Sequence, residues 1–226
     1  MPCPASPPTA NENASPASDA ALLFGLTRVT ELLEGPDGHH GQVVAHLAHR
    51  LALKAGHAAA FAGEVLQVAA LHDVGKIAVP WEILLKPGPL LPAERRIVET
   101  HAALGATILR SHRISHLSLA QDIAQHHHER WDGNGYPCRL SGERIALAAR
   151  IVAIVAIVDV CDALLSERCY KPAWSPAQTL AYLLRQRGTA FDPDLLQLFV
   201  ADYAGMLELR EEIRAPEAAV PDELAA

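Results

Sequence analysis

Apolar residues recur every three to four positions through most of the chain, which is the spacing of one face of an α-helix. The clearest case is residues 40–53, where one face carries Val43, Val44, Leu47 and Leu51. Similar patterns predict further helices over residues 61–72, 93–110, 117–128 and 147–166. No segment shows the strict alternation of a half-buried strand, so the sequence predicts an all-α fold, a bundle of about seven or more helices.

Capping residues predict where two more helices begin. Ser175 and Asp192 each precede a segment with helical spacing, and both side chains can accept a hydrogen bond from a free N–H of a first turn. Asp192 is followed by Pro193, and proline is common as the first residue of a helix. We therefore expect helices directly after both positions.

The two ends of the chain differ in composition from the region between them. Residues 1–19 are rich in Pro, Ala, Ser and Asn and hold five of the 16 prolines, which predicts a disordered tail. The composition of residues 213–226 predicts a short acidic tail. Within the intervening domain, residues 20–212, glycine and proline predict loops at residues 35–38, 86–92 and 131–142.

Charge and cysteine content exclude several classes of protein. The 226 residues include 19 Lys and Arg against 26 Asp and Glu, a net charge of −7, which disfavours a DNA-binding surface. The four cysteines form no CxxC pair and do not resemble a disulfide framework, which favours a cytoplasmic location. The longest apolar run, residues 151–158, is far shorter than the ~20 residues of a membrane span.

Histidine is unusually frequent, with 12 in the chain, and it is the commonest metal ligand. Histidines and carboxylates concentrate at His72-Asp73, at residues 126–129, and at Asp159, which directly follows eight apolar residues. Taken alone, these could also be a capping pair, an exposed patch and a salt-bridged aspartate. Imidazole and carboxylate ligands without thiolate suit Fe, Mn, Co, Ni or Zn better than Ca.

Two longer motifs make the chain recognisable. HDVGKIAVP at residues 72–80 and HHERWDGNGYP at residues 127–137 resemble the HD-GYP family, metal-dependent phosphodiesterases of the bacterial second messenger cyclic di-GMP. The similarity continues through shorter motifs and covers about residues 39–200. These motifs lie at residues 84–88, 101–105, 159–164, 168–171 and 191–193.

The resemblance assigns roles to individual residues. It implies a site for two divalent transition metals, with Fe or Mn favoured over Ni, Co or Zn. The implied ligands are His40, His72, Asp73, His101, His127, His128 and Asp159. His40 is preferred to its neighbour His39 because the apolar pair Val43-Val44 follows at the family's distance. Asp73 is expected to bridge the metals, and Lys76 to contact a phosphate oxygen or to protonate the leaving group. Substrate contacts are implied for Lys76, Tyr136, Arg168 and Lys171.

The implied activity is hydrolysis of cyclic di-GMP to linear pGpG, GMP or both by metal-activated hydroxide. Two alternatives remain open: a phosphodiesterase of another cyclic nucleotide or dinucleotide, and a non-catalytic module that senses cyclic di-GMP or binds GGDEF domains. The resemblance also implies that the loop at residues 133–137 contacts GGDEF-domain proteins.

Two departures from the family pattern bear on the metal site. Pro36 stands where some members have a glutamate that holds a third metal, which favours two metals here. Three extra residues of an Ile-Val-Ala tandem precede Asp159, and we expect the preceding loop or the start of that helix to absorb them.

Overall fold

The computed structural model describes residues 21, 25–29, 39–110, 117–145 and 175–215. Within these ranges it contains nine α-helices and no strand, which confirms the all-α prediction; residues 25–29 are also helical. The helices are α1 (His40–Lys54), α2 (Ala59–Val68), α3 (Trp81–Leu84), α4 (Pro92–Glu99), α5 (His101–Arg110), α6 (Leu117–His126), α7 (Pro176–Arg185), α8 (Pro193–Ala201) and α9 (Tyr203–Arg214). Short 3₁₀ helices occupy Ala69–Leu71, Val74–Ala78 and Gly142–Arg144.

Helix α1 lies at the centre of the core. Its predicted apolar face, Val43, Val44, Leu47 and Leu51, is almost completely buried. The helix packs against α2, Ala69–Leu71, α8 and α9. Burying a large aliphatic side chain contributes about 1.5–3 kcal/mol, so this face alone accounts for much of the driving force that places α1.

The helix predicted over residues 61–72 is shorter than expected. Helix α2 ends at Val68, and the chain continues as Ala69–Leu71 and Val74–Ala78 in tighter 3₁₀ turns. Gly75 lies directly against the start of α5, where an added Cβ would come within 2.0 Å of the His101 carbonyl oxygen. This contact between backbones brings the turn at residues 72–76 next to His101.

The prediction of a single helix over residues 93–110 is wrong, because the structure has two helices, α4 and α5, that are separated at Thr100. The Thr100 hydroxyl donates to the Ile97 carbonyl at 2.6 Å, and the Thr100 N–H closes a tight turn on the same oxygen at 3.1 Å. Side-chain bonds of this kind compete with the regular helical ladder. As a result, His101 begins a new helix and its side chain is buried.

The two predicted helix starts late in the chain are confirmed. Ser175 and Gln178 cap α7 reciprocally, because each side chain accepts the backbone N–H of the other residue. Asp192 caps α8 by accepting the N–H groups of Asp194 at 2.8 Å and Leu195 at 3.3 Å. Both caps satisfy donors that a first helical turn leaves free.

Two further helix ends differ from the predictions, and several predicted segments lie outside the described residues. Helix α6 ends at His126, two residues earlier than expected, and α9 extends to Arg214. The helix predicted over residues 147–166, the loop at 35–38 and both predicted tails lie outside the described ranges, except for residues 213–215. Among the described residues, no helix is long and apolar enough to cross a membrane.

Candidate metal centre

Four separate parts of the fold contribute side chains to one cluster. His40 comes from the first turn of α1, His101 from the first turn of α5, and the adjacent pair His72-Asp73 from the turn after α2. His127 and His128 follow the last residue of α6, where the ending helix lets two neighbours face the same site. The structure therefore brings together six of the seven predicted ligands, and Asp159 lies outside the described residues.

The cluster consists of two groups of ligand atoms that share Asp73. One group joins Asp73 to His101, His127 and His128, and the other joins it to His40 and His72. Within each group, the ligand atoms lie within 4.8 Å of one another, so each group could hold a metal ion.

The two oxygens of the shared carboxylate face different histidines. Asp73 Oδ1 lies 3.2 Å from His101 Nε2 and 3.6 Å from His127 Nε2. Asp73 Oδ2 lies 3.3 Å from His72 Nε2. This is the arrangement that a carboxylate needs to bridge two cations, which lie ~3.5–4 Å apart in two-metal sites.

Backbone carbonyls set the orientation of the buried imidazoles. The Nδ1 atoms of His72, His101 and His127 each donate to the carbonyl three residues earlier, at 2.9, 2.6 and 2.9 Å. A carbonyl oxygen can only accept, so the proton of each neutral ring is on Nδ1. The Nε2 lone pairs are therefore directed at the cluster, as in metal sites where the second ring nitrogen is held by an outer hydrogen bond.

The close approach of two imidazoles shows that the residues fit a cation. His101 Nε2 and His127 Nε2 are 3.1 Å apart, and both are acceptors when Nδ1 carries the proton. Burial lowers the pKa of His127 more than Asp73 raises it, which favours the neutral ring. Asp73 Oδ1 is also buried and accepts no hydrogen bond from any described residue. A metal ion held by these residues would remove their mutual repulsion and satisfy each of them.

Asp73 is ionised despite being buried. Burial raises the pKa of its carboxyl, but the positive charge of Lys76 holds the pKa well below its usual value. The Lys76 ammonium donates to Asp73 Oδ2. Lys76 therefore lies beside the cluster, and it reaches Asp73 through a 3₁₀ turn and not through a continuing helix.

Tyr136 also lies beside the cluster. Its ring stacks on the His128 imidazole with centroids 4.7 Å apart and an angle of 25° between the planes. The Tyr136 N–H donates to the His128 carbonyl at 3.3 Å. Gly135 makes this approach possible, because an added Cβ would come within 2.5 Å of the same carbonyl oxygen. The other two predicted substrate contacts, Arg168 and Lys171, lie outside the described residues.

Some residues near the cluster do not join it. His39 precedes α1 and belongs to neither group, whereas its neighbour His40 belongs to one of them. Glu129 is buried next to His128 but also lies outside both groups, and sequence reasoning assigned it no separate role. Cys138 is disulfide-bonded, although the cysteine pattern predicts no disulfide framework.

Comparison with known proteins identifies the family of the chain. The sequence profile described as HD domain matches residues 19–195. The chain belongs to the HD domain family. The match includes every candidate ligand in the described ranges.

Relatives of this HD domain chain include phosphodiesterases of two cyclic dinucleotides. It is 39% identical over 201 residues to "3'3'-cGAMP-specific phosphodiesterase 2" of Vibrio cholerae, covering 89% of this chain and 37% of that protein. It is 43% identical over 171 residues to "Cyclic di-GMP phosphodiesterase response regulator RpfG" of Xanthomonas campestris, covering 74% and 44%. The chain thus spans less than half of either relative. Such relatives confirm the predicted HD-GYP membership.

Solved structures share the fold of the HD domain chain. A cyclic GMP-AMP-specific phosphodiesterase from V. cholerae has a TM-score of 0.59 at 18% identity, covering 88% of this chain and 54% of that one. The Bdellovibrio bacteriovorus HD-GYP-type protein Bd1817 has a TM-score of 0.58 at the same identity, covering 84% and 62%. At this level of identity, the likeness concerns the fold alone.

Proposed function

We propose that this HD domain protein hydrolyses cyclic di-GMP to linear pGpG, GMP or both. The observation that carries the proposal is the pair of ligand groups sharing Asp73, because a bridged metal pair suits hydrolysis of a phosphodiester. The names of several relatives supply the substrate class.

We also propose that the centre holds two divalent transition metals, with Fe or Mn preferred and Ni, Co or Zn as alternatives. The donors are imidazole and carboxylate without thiolate, which suits borderline first-row metals. Asp159 is proposed as a further ligand. When bound, such a metal pair activates water for attack and neutralises charge on the phosphodiester.

The chain's own residues have distinct proposed roles. Asp73 bridges the two ligand groups, and His72, His101 and His127 direct their Nε2 atoms at its carboxylate. Lys76 lies next to Asp73 with its side chain about one quarter exposed, so its ammonium can reach a phosphate oxygen or donate a proton to the leaving alkoxide. Tyr136, with Arg168 and Lys171, is proposed to bind the nucleotide.

Hydrolysis by the purified, metal-loaded chain tests the proposed function. Cyclic di-GMP and 3'3'-cGAMP are incubated separately with the protein, and the products are separated by chromatography. We expect pGpG or GMP from cyclic di-GMP, with chelator abolishing the reaction. Binding of cyclic di-GMP without turnover in fully metal-loaded protein would support the non-catalytic alternative instead.

A second candidate substrate is 3'3'-cGAMP. The relative named for this substrate aligns with 89% of the chain, more than RpfG does. The two dinucleotides differ in one base, so the metal centre can act on either. Their ratio of kcat/KM decides between them, and a higher value for 3'3'-cGAMP would replace cyclic di-GMP as the proposed substrate.

The loop at residues 133–137 is proposed as a contact surface for GGDEF-domain proteins. Asn134 and Pro137 are exposed, while the loop backbone is anchored beside them through Gly135. A rigid, exposed loop of this kind presents the same surface in the free and bound protein, which favours recognition.

We expect Lys76→Ala to retain both metals but to hydrolyse cyclic di-GMP about 100-fold more slowly. Loss of a positioned acid or base typically reduces a rate by ~10²–10⁴. The control is Lys54→Ala, which removes a lysine that is 3.2 Å from Asp202 and outside both ligand groups. Metal analysis and steady-state kinetics make the comparison, and an unchanged rate for Lys76→Ala would remove this lysine from the mechanism.

A further inference from the structure

Glu129 has a buried carboxylate, and both of its oxygens accept hydrogen bonds from backbone N–H groups. Only 5% of the residue is exposed, and it directly follows the candidate ligands His127 and His128. Its Oε1 accepts the N–H of Cys138 at 2.6 Å, and its Oε2 accepts the N–H of Leu140 at 3.0 Å. A buried carboxylate is costly unless it is hydrogen-bonded, and here the bonds all go to one short segment, residues 138–140.

Tyr136 lies two residues before this segment. On one side, its N–H and its ring contact His128, and Gly135 lies against the backbone of residues 128–130. On the other side, the chain leaving Tyr136 enters the segment that Glu129 holds. The loop is therefore attached at both ends to the same three consecutive residues, 128–130, the first of which is a candidate ligand.

We propose that Glu129 is a positioning residue that fixes residues 138–140 beside the end of α6 and thereby keeps the Tyr136 ring stacked on His128. The glutamate does not contact the candidate metal centre itself, because it belongs to neither ligand group and backbone N–H groups engage both of its oxygens. The consequence for substrate binding rests on the proposed function, whereas the consequence for loop order does not.

Hydrogen exchange of the metal-loaded full chain tests the effect on the loop. In Glu129→Gln, one acceptor becomes an amide NH₂ that faces a backbone N–H, so one anchor is lost with little change in shape. We expect amides of residues 135–140 to exchange at least tenfold faster, with metal content unchanged. The matched control, Glu143→Gln, alters an exposed glutamate nearby and should exchange like the wild type.

Unchanged exchange in the loop of Glu129→Gln would overturn the proposal. Glu129→Asp provides a second variant, since the shorter side chain cannot reach both N–H groups in the same geometry. Failure of both variants to fold would assign Glu129 to general stability and would equally overturn a positioning role.

A double-mutant cycle with Tyr136 tests the effect on substrate. We expect Glu129→Gln to lower kcat/KM for the cyclic dinucleotide about tenfold, mainly through KM, as loss of one buried hydrogen bond allows. In the Tyr136→Ala background, the same change should have no further effect, because the two residues act as one unit. Additive losses would contradict the proposal. If the wild type hydrolyses no cyclic dinucleotide, the proposed function fails, and the exchange experiment still decides whether Glu129 orders the loop.

Discussion

Replacing Asp73 with alanine is expected to abolish hydrolysis of the cyclic dinucleotide and to lower the bound metal below two ions per chain. Asp73 is the only residue common to both described ligand groups, and its two oxygens face different histidines. Without it, each group keeps only imidazoles from the described residues, and the Lys76 ammonium loses the anion that balances its charge. The uncompensated positive charge of Lys76 would then oppose the binding of metal cations.

Elemental analysis and kinetics measure this effect. The wild type should carry two metals, and Asp73→Asn, which keeps the shape but loses the charge, should behave like Asp73→Ala. Asp194→Ala is the control, because it removes an exposed aspartate in the first turn of α8 and should leave metal content and rate as in the wild type. Two retained metals with a rate above one tenth of the wild type would show that another residue bridges the groups. Three well-occupied metals in the wild type would contradict the proposed two-metal centre.

Gly75→Ala is expected to be the most destabilising small substitution in the turn at residues 72–76. An added Cβ would lie 2.0 Å from the His101 carbonyl oxygen and 2.4 Å from the Gly105 nitrogen. Both are backbone atoms of α5, so no side chain can rotate away, and the turn must separate from the helix. Overpacking of this kind costs about 3 kcal/mol, which lowers the Tm of a domain of this size by ~6–12 °C.

The same displacement should weaken metal binding, because it moves Asp73 away from His101. Gly63→Ala is the matched control: it lies in the interior of α2, and an added Cβ would meet nothing within 4 Å. Alanine is the better helix former by about 1 kcal/mol, so this control should raise the Tm slightly. Thermal unfolding followed by circular dichroism, with metal analysis, compares the two. Equal Tm values would show that the turn can move without loss.

The sequence indicates the type of each ligand but not how the ligands share a metal site. A histidine or aspartate next to an apolar segment can be a cap, a surface group or a ligand, and His101 alone gives no signal of its role. The family resemblance identified the candidate residues. The sharing of Asp73 between two groups depends on where four separate segments of backbone come together, which no local pattern contains.

Features that depend on residues within about four positions of one another follow from local sequence patterns. These are the apolar face of α1, the caps at Ser175 and Asp192, and the all-α architecture. The approach of Gly75 to α5 and the hydrogen bonds from residues 138–140 to Glu129 could not be read from any local pattern. Each of these depends on hydrogen bonds or packing with backbone whose position is set by the rest of the fold.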